Sequence, residues 1–406
     1  MSAGRQAALQ KPGTDRVAAD RHGIPYCILL VMQGDPISQR PEEQRHPYKG
    51  LANWAFWQRS VGGVAPFAVD PVITVPFTIG QTDRIATGGS CFAQNIARGL
   101  RERHFNYFVA ETAPPTLPTA KWHEYNYGTF SARYGNIYTA RHLRQLFDRA
   151  YDKFTPSLRS WNGPGGEWID PFRPRIQPGG FGSEAELLED RRQHLACTRR
   201  LFEELDVFIF TLGLTEGWEH AGDGAAIPLA PGVAGGTWEP AHYYFRNYSV
   251  MEVERDLAAF IEKLRSVNPR CRIILTVSPV PLVATYENRH VLESTCLSKA
   301  VLRVAAANCV NSHENIAYFP AYEIVTGPHA GGRYFEDDLR SVTRAGVDHV
   351  MRCFFSHYTA EWETASSQHG EPLSDMNSEL AALDKIMKAE IAALSDVVCD
   401  EEALQP

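Results

Sequence analysis

The chain has 406 residues, 44% of them hydrophobic and 22% charged, with a formal net charge of −8 at pH 7. That length suits two average domains or one large α/β domain with insertions, and the composition is that of an ordinary globular protein. The acidic balance argues against a nucleic-acid partner. No apolar run reaches the about 20 residues that cross a bilayer, so no membrane partner is expected either.

Residues 1–45 are polar and basic without periodicity and read as a poorly ordered leader. Its longest apolar run, Cys27 to Met32, is short, and Arg5, Lys11, Arg16 and Arg21 are scattered, so no cleavable signal is expected. The eight cysteines (27, 91, 197, 271, 296, 309, 353 and 399) show no CxxC pair and no zinc spacing. They read as reduced thiols in a cytoplasmic protein. From His46 to Thr78, Trp54, Phe56, Trp57, Phe67, Val75 and Phe77 make the chain too apolar to be left loose. A strap packed on the main domain is predicted there.

From residue 84 strand-like and helix-like segments alternate. Strands are predicted over 84–88, 106–110, 206–212, 272–278 and 316–320, and helices over 92–103, 139–152, 184–204, 250–266, 293–312 and 343–356. Val207-Phe208-Ile209-Phe210 has no polar alternation, as in a strand covered on both faces. The pattern predicts an α/β fold with a doubly wound, mostly parallel five-stranded sheet of the flavodoxin-like kind. One domain over 46–357 is expected. Gly, Pro and aromatic residues near 153–182 and 219–248 mark two insertions suited to a lid or substrate wall. Residues 358–406 read as a polar linker and then an amphipathic helix over 377–396.

In such a sheet the site lies beyond the carboxyl ends of the strands. Three segments fall just there: Gly88-Gly89-Ser90-Cys91, Gly213-Leu214-Thr215-Glu216 and Ser278-Pro279-Val280-Pro281. The first reads as strand, glycine turn, nucleophile and helix. Backbone N–H groups at a helix N-terminus stabilise a thiolate or an oxyanion. A buried cysteine after a glycine turn is the plainer reading of the same spacing. No glycine-rich phosphate loop and no His cluster at ligand spacing is present, and neither cofactor nor metal is expected.

Gly-Ser-Cys-Phe-Ala at 89–93 resembles the motif of the GSCFA family, which is grouped with the SGNH/GDSL-type hydrolases. The resemblance extends from about His46 to Phe355. It includes Gly135-Asn136-Ile137-Tyr138-Thr139, Thr211 to Glu216, Ser278 to Leu282 and Asp338-Leu339-Arg340-Ser341-Val342-Thr343. It implies an SGNH-hydrolase-like fold and an esterase or acyltransferase acting on acyl groups of a glycan or small polar metabolite. Laid on the Gly-Asp-Ser tripeptide of those enzymes, either Cys91 or Ser90 takes the nucleophile position. Cys91 is favoured, because Phe92-Ala93 then opens the helix. For the oxyanion hole the resemblance implies a second loop supplied by Gly128 or by Gly135 with Asn136, the latter favoured, and a third supplied by Gly213 with Thr215.

Two departures stand out. Gly213-Leu214-Thr215-Glu216 replaces Gly-x-Asn-Asp, and Ser341 stands where Asp-x-x-His has its base, leaving Asp338 alone. His349 lies about two helical turns farther on, roughly 12 Å away. His290, after the fourth strand, is the first substitute base, and a surface or capping role is its plainer alternative. Glu216 is a second possible base or an orienting group. Arg173, Ser278, Arg303, Arg340 and Ser341 suit a substrate wall, where guanidinium groups would hold a phosphate or carboxylate. The missing His equally suits a ligand-binding protein on a disabled hydrolase fold.

Overall fold

The structure, a computed structural model, describes residues 46–359 and 399–404. The expected leader (1–45) and the expected helix over 377–396 lie outside the described residues. The chain divides into two compact units, Met1–Ala52 and Asn53–Pro406. Of the first, residues 46–52 are exposed turns, with the Lys49 N–H donating to His46 O at 3.2 Å.

In the second unit three short helical turns (Asn53–Ala55, Gln58–Gly62 and Pro66–Ala68) precede β1 (Ile85–Gly89), α1 (Phe92–Glu102) and α2 (Ala140–Ala150). The short strands β2 (Trp161–Asn162) and β3 (Trp168–Ile169) precede α3 (Glu184–Glu204) and β4 (Val207–Leu212). Then come β5 (Glu216–His220), β6 (Ala226–Ile227), β7 (Tyr243–Asn247) and α4 (Val250–Val267). The chain continues through β8 (Arg272–Val277), α5 (Val291–Ser312), β9 (Ile316–Tyr318), α6 (Ala321–Thr326) and α7 (Arg344–Tyr358). Caps fix several helix starts: Thr139 Oγ1 accepts from the His142 N–H at 3.2 Å, and Ser249 and Glu252 form a reciprocal capping box.

The central sheet is four-stranded and parallel, in the order β1-β4-β8-β9. Side chains alternate across β4. Val207 and Ile209 join α1 and α7 in one apolar cluster, while Phe208, Phe210 and Leu212 join α2 and α4 in the other. Helices therefore cover both faces, which explains the unalternated strand sequences. The fifth expected strand, 106–110, is reduced to one bridge. Ile85 N donates to Asn106 O at 2.9 Å and Phe108 N to Ile85 O at 2.8 Å. Ala110 N then turns to Ser131 O, which takes the chain off the sheet edge.

The expected strap takes form over residues 67–79, which run along α7. Val69 and Val72 are buried, His349 Nε2 sits 2.8 Å from Val69 O, and His357 pairs with Asp70 at 2.8 Å. Trp54 and Trp57, expected to pack, are exposed. The two insertions meet each other. β6-β5-β7 form an antiparallel sheet, and Trp161, Ile169 and Phe172 pack with Ile227 and Tyr243.

Gly89 closes β1 at φ +130°, and a Cβ placed there would lie 2.2 Å from Thr211 O. Only glycine fits so close to β4. Gly89→Ala is expected to cost about 2–3 kcal/mol from backbone strain and overpacking. Urea denaturation measures it, and an unchanged midpoint would contradict the close approach.

Candidate active site

The turn after β1 is pinned by the Ser90 N–H, which donates to Thr211 O at 3.2 Å, and by the Ile137 N–H, which donates to Gly89 O at 2.8 Å. Cys91 is the N-cap of α1, yet its side chain makes no capping hydrogen bond. The thiol is thus left to a cleft of about 220 Å³ lined by Ser90, Cys91, Tyr138, Ser278, Lys299 and Glu401 among others. Ser278 enters from β8, its N–H donating to Leu212 O at 2.8 Å. The turns after β1, β4 and β8 therefore converge on one edge of the sheet. Ser90 Oγ and Tyr138 Oη in this cleft are buried, 4% and 3% exposed by residue, and have no hydrogen-bond partner among the described residues. Buried hydroxyls of that kind are normally satisfied, so these two are available to a ligand or to water.

Lys299 projects from α5 into the same cleft, 2% exposed, and its Nζ donates to Gly213 O at 2.6 Å. Burial away from water pushes its pKa down from 10.5 to about 8. An amine in that range holds or releases a proton near neutral pH.

The C-terminal segment 399–404 contributes Cys399, Asp400 and Glu401 to this region. Asn136 Nδ2 donates to Asp400 Oδ2 at 2.9 Å, and Arg340 Nη2 donates to Glu401 Oε2 at 2.8 Å. Cys399 lies near Cys91, and the two thiols titrate as an interacting pair. The interaction with Cys91, and Arg340 Nη2 at 3.6 Å from Cys399 Sγ, draw the Cys399 thiol down. The same interaction, together with burial, pushes Cys91 up.

Several expected residues do other work. His290 is exposed and caps α5, its Nδ1 accepting from the Leu292 N–H at 3.1 Å, so the plainer reading of His290 describes its place. Glu216 opens β5 and accepts from Thr285 Oγ1 at 2.7 Å, on the side of the 285–287 loop. Thr215 gives its hydroxyl to Asn247 Oδ1 at 2.8 Å. The Gly213 N–H is committed to Tyr138 O at 3.2 Å, and the Gly213 carbonyl holds Lys299. Arg303 pairs with Glu323 at 2.7 Å and stacks on Tyr318, between α5 and α6. Arg173 is buried among Asp170 and Asp190, at 2.8 and 2.7 Å.

Asp338 and Ser341 form an exposed local turn. Asp338 Oδ1 accepts from the Arg340 and Ser341 N–H groups at 2.8 Å each, and Ser341 Oγ donates to Asp338 Oδ2 at 2.6 Å. The turn presents Arg340, whose Nε donates to Pro281 O at 3.3 Å, toward the C-terminal segment. Asn136 lies beside Gly135 (φ +71°) on an adjoining cleft of about 280 Å³, walled by Phe172 to Ile176 of the first insertion. Sequence reading missed Lys299, Tyr138 and the 399–401 segment. Only Lys299 left a signal, as a cation sharing its helical face with the apolar Leu302 and Ala306.

The fold and cleft define an α/β protein with a parallel central sheet and a glycine turn bearing Ser90 and Cys91 at the carboxyl edge of that sheet. The chain belongs to the GSCFA family, whose model matches residues 84–354. No curated protein matches the chain. Among the described residues, no helix is long and apolar enough to cross a membrane.

Proposed function

We propose that the protein is an SGNH-like hydrolase or acyltransferase that passes an acyl group through Cys91, with Lys299 in place of the missing histidine. The observation that carries this reading is the convergence of Cys91, two unpartnered hydroxyls and a buried lysine in one cleft. Neutral Lys299 accepts the Cys91 proton, and the thiolate attacks the acyl carbonyl. Lys299 then returns the proton to the leaving group. Asn136 Nδ2, now on a carboxylate oxygen of Asp400, is the side-chain donor assigned to the oxyanion once that carboxylate leaves. Water or a hydroxylated acceptor such as a glycan or small polar metabolite resolves the thioester. The free thiols Cys197, Cys271, Cys309 and Cys353 suit a reducing, cytoplasmic setting.

The test is acyl-enzyme trapping with an activated acyl ester, on wild type and on Glu401→Lys. Intact-protein mass spectrometry is expected to show one acyl adduct, mapping to Cys91 and absent in Cys91→Ala. An adduct on Ser90 would move the nucleophile by one residue. No adduct in either chain, with the ester still bound, would favour the ligand-binding reading.

A further inference from the structure

The two adjoining clefts carry a charge pattern that ester chemistry alone does not require. Their fixed walls supply Lys299, Arg175 and the amide of Asn136, and Arg340 reaches in from the Asp338–Ser341 turn, whereas Arg173 in the same wall is already paired with Asp170 and Asp190. Among the described lining residues, the only carboxylates are Asp400 and Glu401, and both come from the C-terminal segment. Each meets a donor set suited to a carboxylate: an amide N–H at 2.9 Å for Asp400, a guanidinium at 2.8 Å for Glu401. Take the segment away and the site is a cationic trough running past Cys91, with Ser90 Oγ and Tyr138 Oη still unpartnered on its floor.

We propose that this trough is the binding site for a carboxylate-bearing acyl substrate of the dicarboxylate kind, and that residues 399–401 occupy it as an internal mimic. The proposal rests on the Cys91 cleft being the active site. Arg340 takes the distal carboxylate and Asn136 the oxygen nearest the thiol. The segment and the substrate are alternatives, because Asp400 and Glu401 stand on the same donors. Docking also places Cys399 and Glu401 beside Cys91, so the occupied site covers its thiol.

The experiment reads Cys91 directly and needs no turnover. Carbamidomethylation of Cys91 by iodoacetamide is followed by peptide mass spectrometry in the full-length chain. Reversing the segment's charges, Asp400→Lys with Glu401→Lys, is expected to speed Cys91 labelling about tenfold or more as the segment leaves. Glutarate at about ten times its dissociation constant should then slow labelling about tenfold, by occupancy. Uncharged glutaramide should not, and adding Arg340→Gln should remove the protection.

Two results would overturn the proposal: equal Cys91 labelling in wild type and the charge-reversed chain, or labelling that glutarate leaves unchanged. If glutaramide protects as well as glutarate, the trough reads shape and not charge, and the carboxylate assignment falls. Glutarate protection in a chain that forms no acyl adduct would keep this site while ending the acyl-transfer reading. An adduct without glutarate protection would do the reverse.

Discussion

Lys299→Met is expected to abolish most turnover of an activated ester while leaving the fold as stable as wild type or more so. Loss of a general base is worth about 10²–10⁴ in rate. The stability arm follows from linkage. Burial lowers the folded-state pKa of Lys299 from 10.5 to about 8, so between those values the unfolded chain binds more protons and stability rises with pH. Below about pH 8 the folded chain carries a buried ammonium, at a cost of order 3 kcal/mol. Methionine removes that cost and loses one hydrogen bond to Gly213 O. Wild-type activity is expected to rise with pH through about 8, as the amine becomes neutral. Lys299→Arg should not restore it, because a guanidinium releases no proton at these pH values. A melting temperature that falls in step with activity would make Lys299 a packing residue and end the assignment.

Asp170→Ala carries the largest expected loss of stability. The carboxylate is buried, with Arg173 Nε at 2.8 Å and Arg191 Nη2 at 2.7 Å. Although burial alone would raise its pKa, Arg191 and Arg173 hold it far below the usual carboxylate range. Asp190 and Glu111 extend the network to Arg133, at 2.9 and 3.6 Å. Removing Asp170 leaves Arg173, Arg191 and Arg149 facing one another, and Arg149 is already pushed down to about 9 by burial and by Arg191. Breaking a buried pair in this way costs about 3–5 kcal/mol. Calorimetry should show the melting temperature falling by about 5–15 °C. A shift under a degree would mean that the network is solvated and contributes little. Residues 172–176 follow directly and wall the Asn136 cleft, so the variant should also lose substrate affinity.

What the sequence made legible follows from which interactions are local. Val207 to Leu212 and Arg272 to Val277 declare two-faced burial in their own composition, and the glycines before Cys91 declare a turn. Strand 106–110 was misread because Tyr107-Phe108-Val109 has the composition of a strand. Pairing depends on where Ala110 goes next, and a hydrogen bond to Ser131 decides that. Spacing after the fourth strand singled out His290, whose place is set by the Leu292 N–H, two residues away. The acidic segment was invisible for a different reason. Asp400 meets Asn136 across 264 positions, and no periodicity encodes such a meeting. By sequence the Asp338 block resembles a catalytic pair that has lost its histidine. Its hydrogen bonds instead make it the mount for Arg340.

The order of the central sheet also sets a timetable for its making. β1 lies at one edge and, beyond the single bridge of Ile85 to Tyr107, pairs only with β4, and Arg84 just before it waits for Asp206, 122 positions later. At about 5–20 residues per second, synthesis of that interval takes about 6–25 s. Throughout it Ala86 to Gly89 has no sheet partner, although Ala86 and Thr87 are destined for burial. The Ser90–Cys91 turn is thus translated before the elements it packs with and, needing β4, β8 and α5, is among the last parts of the sheet edge to be assembled. A nascent chain stalled before residue 207 exposes an unpaired apolar edge, the form that chaperones recognise and that aggregates recruit.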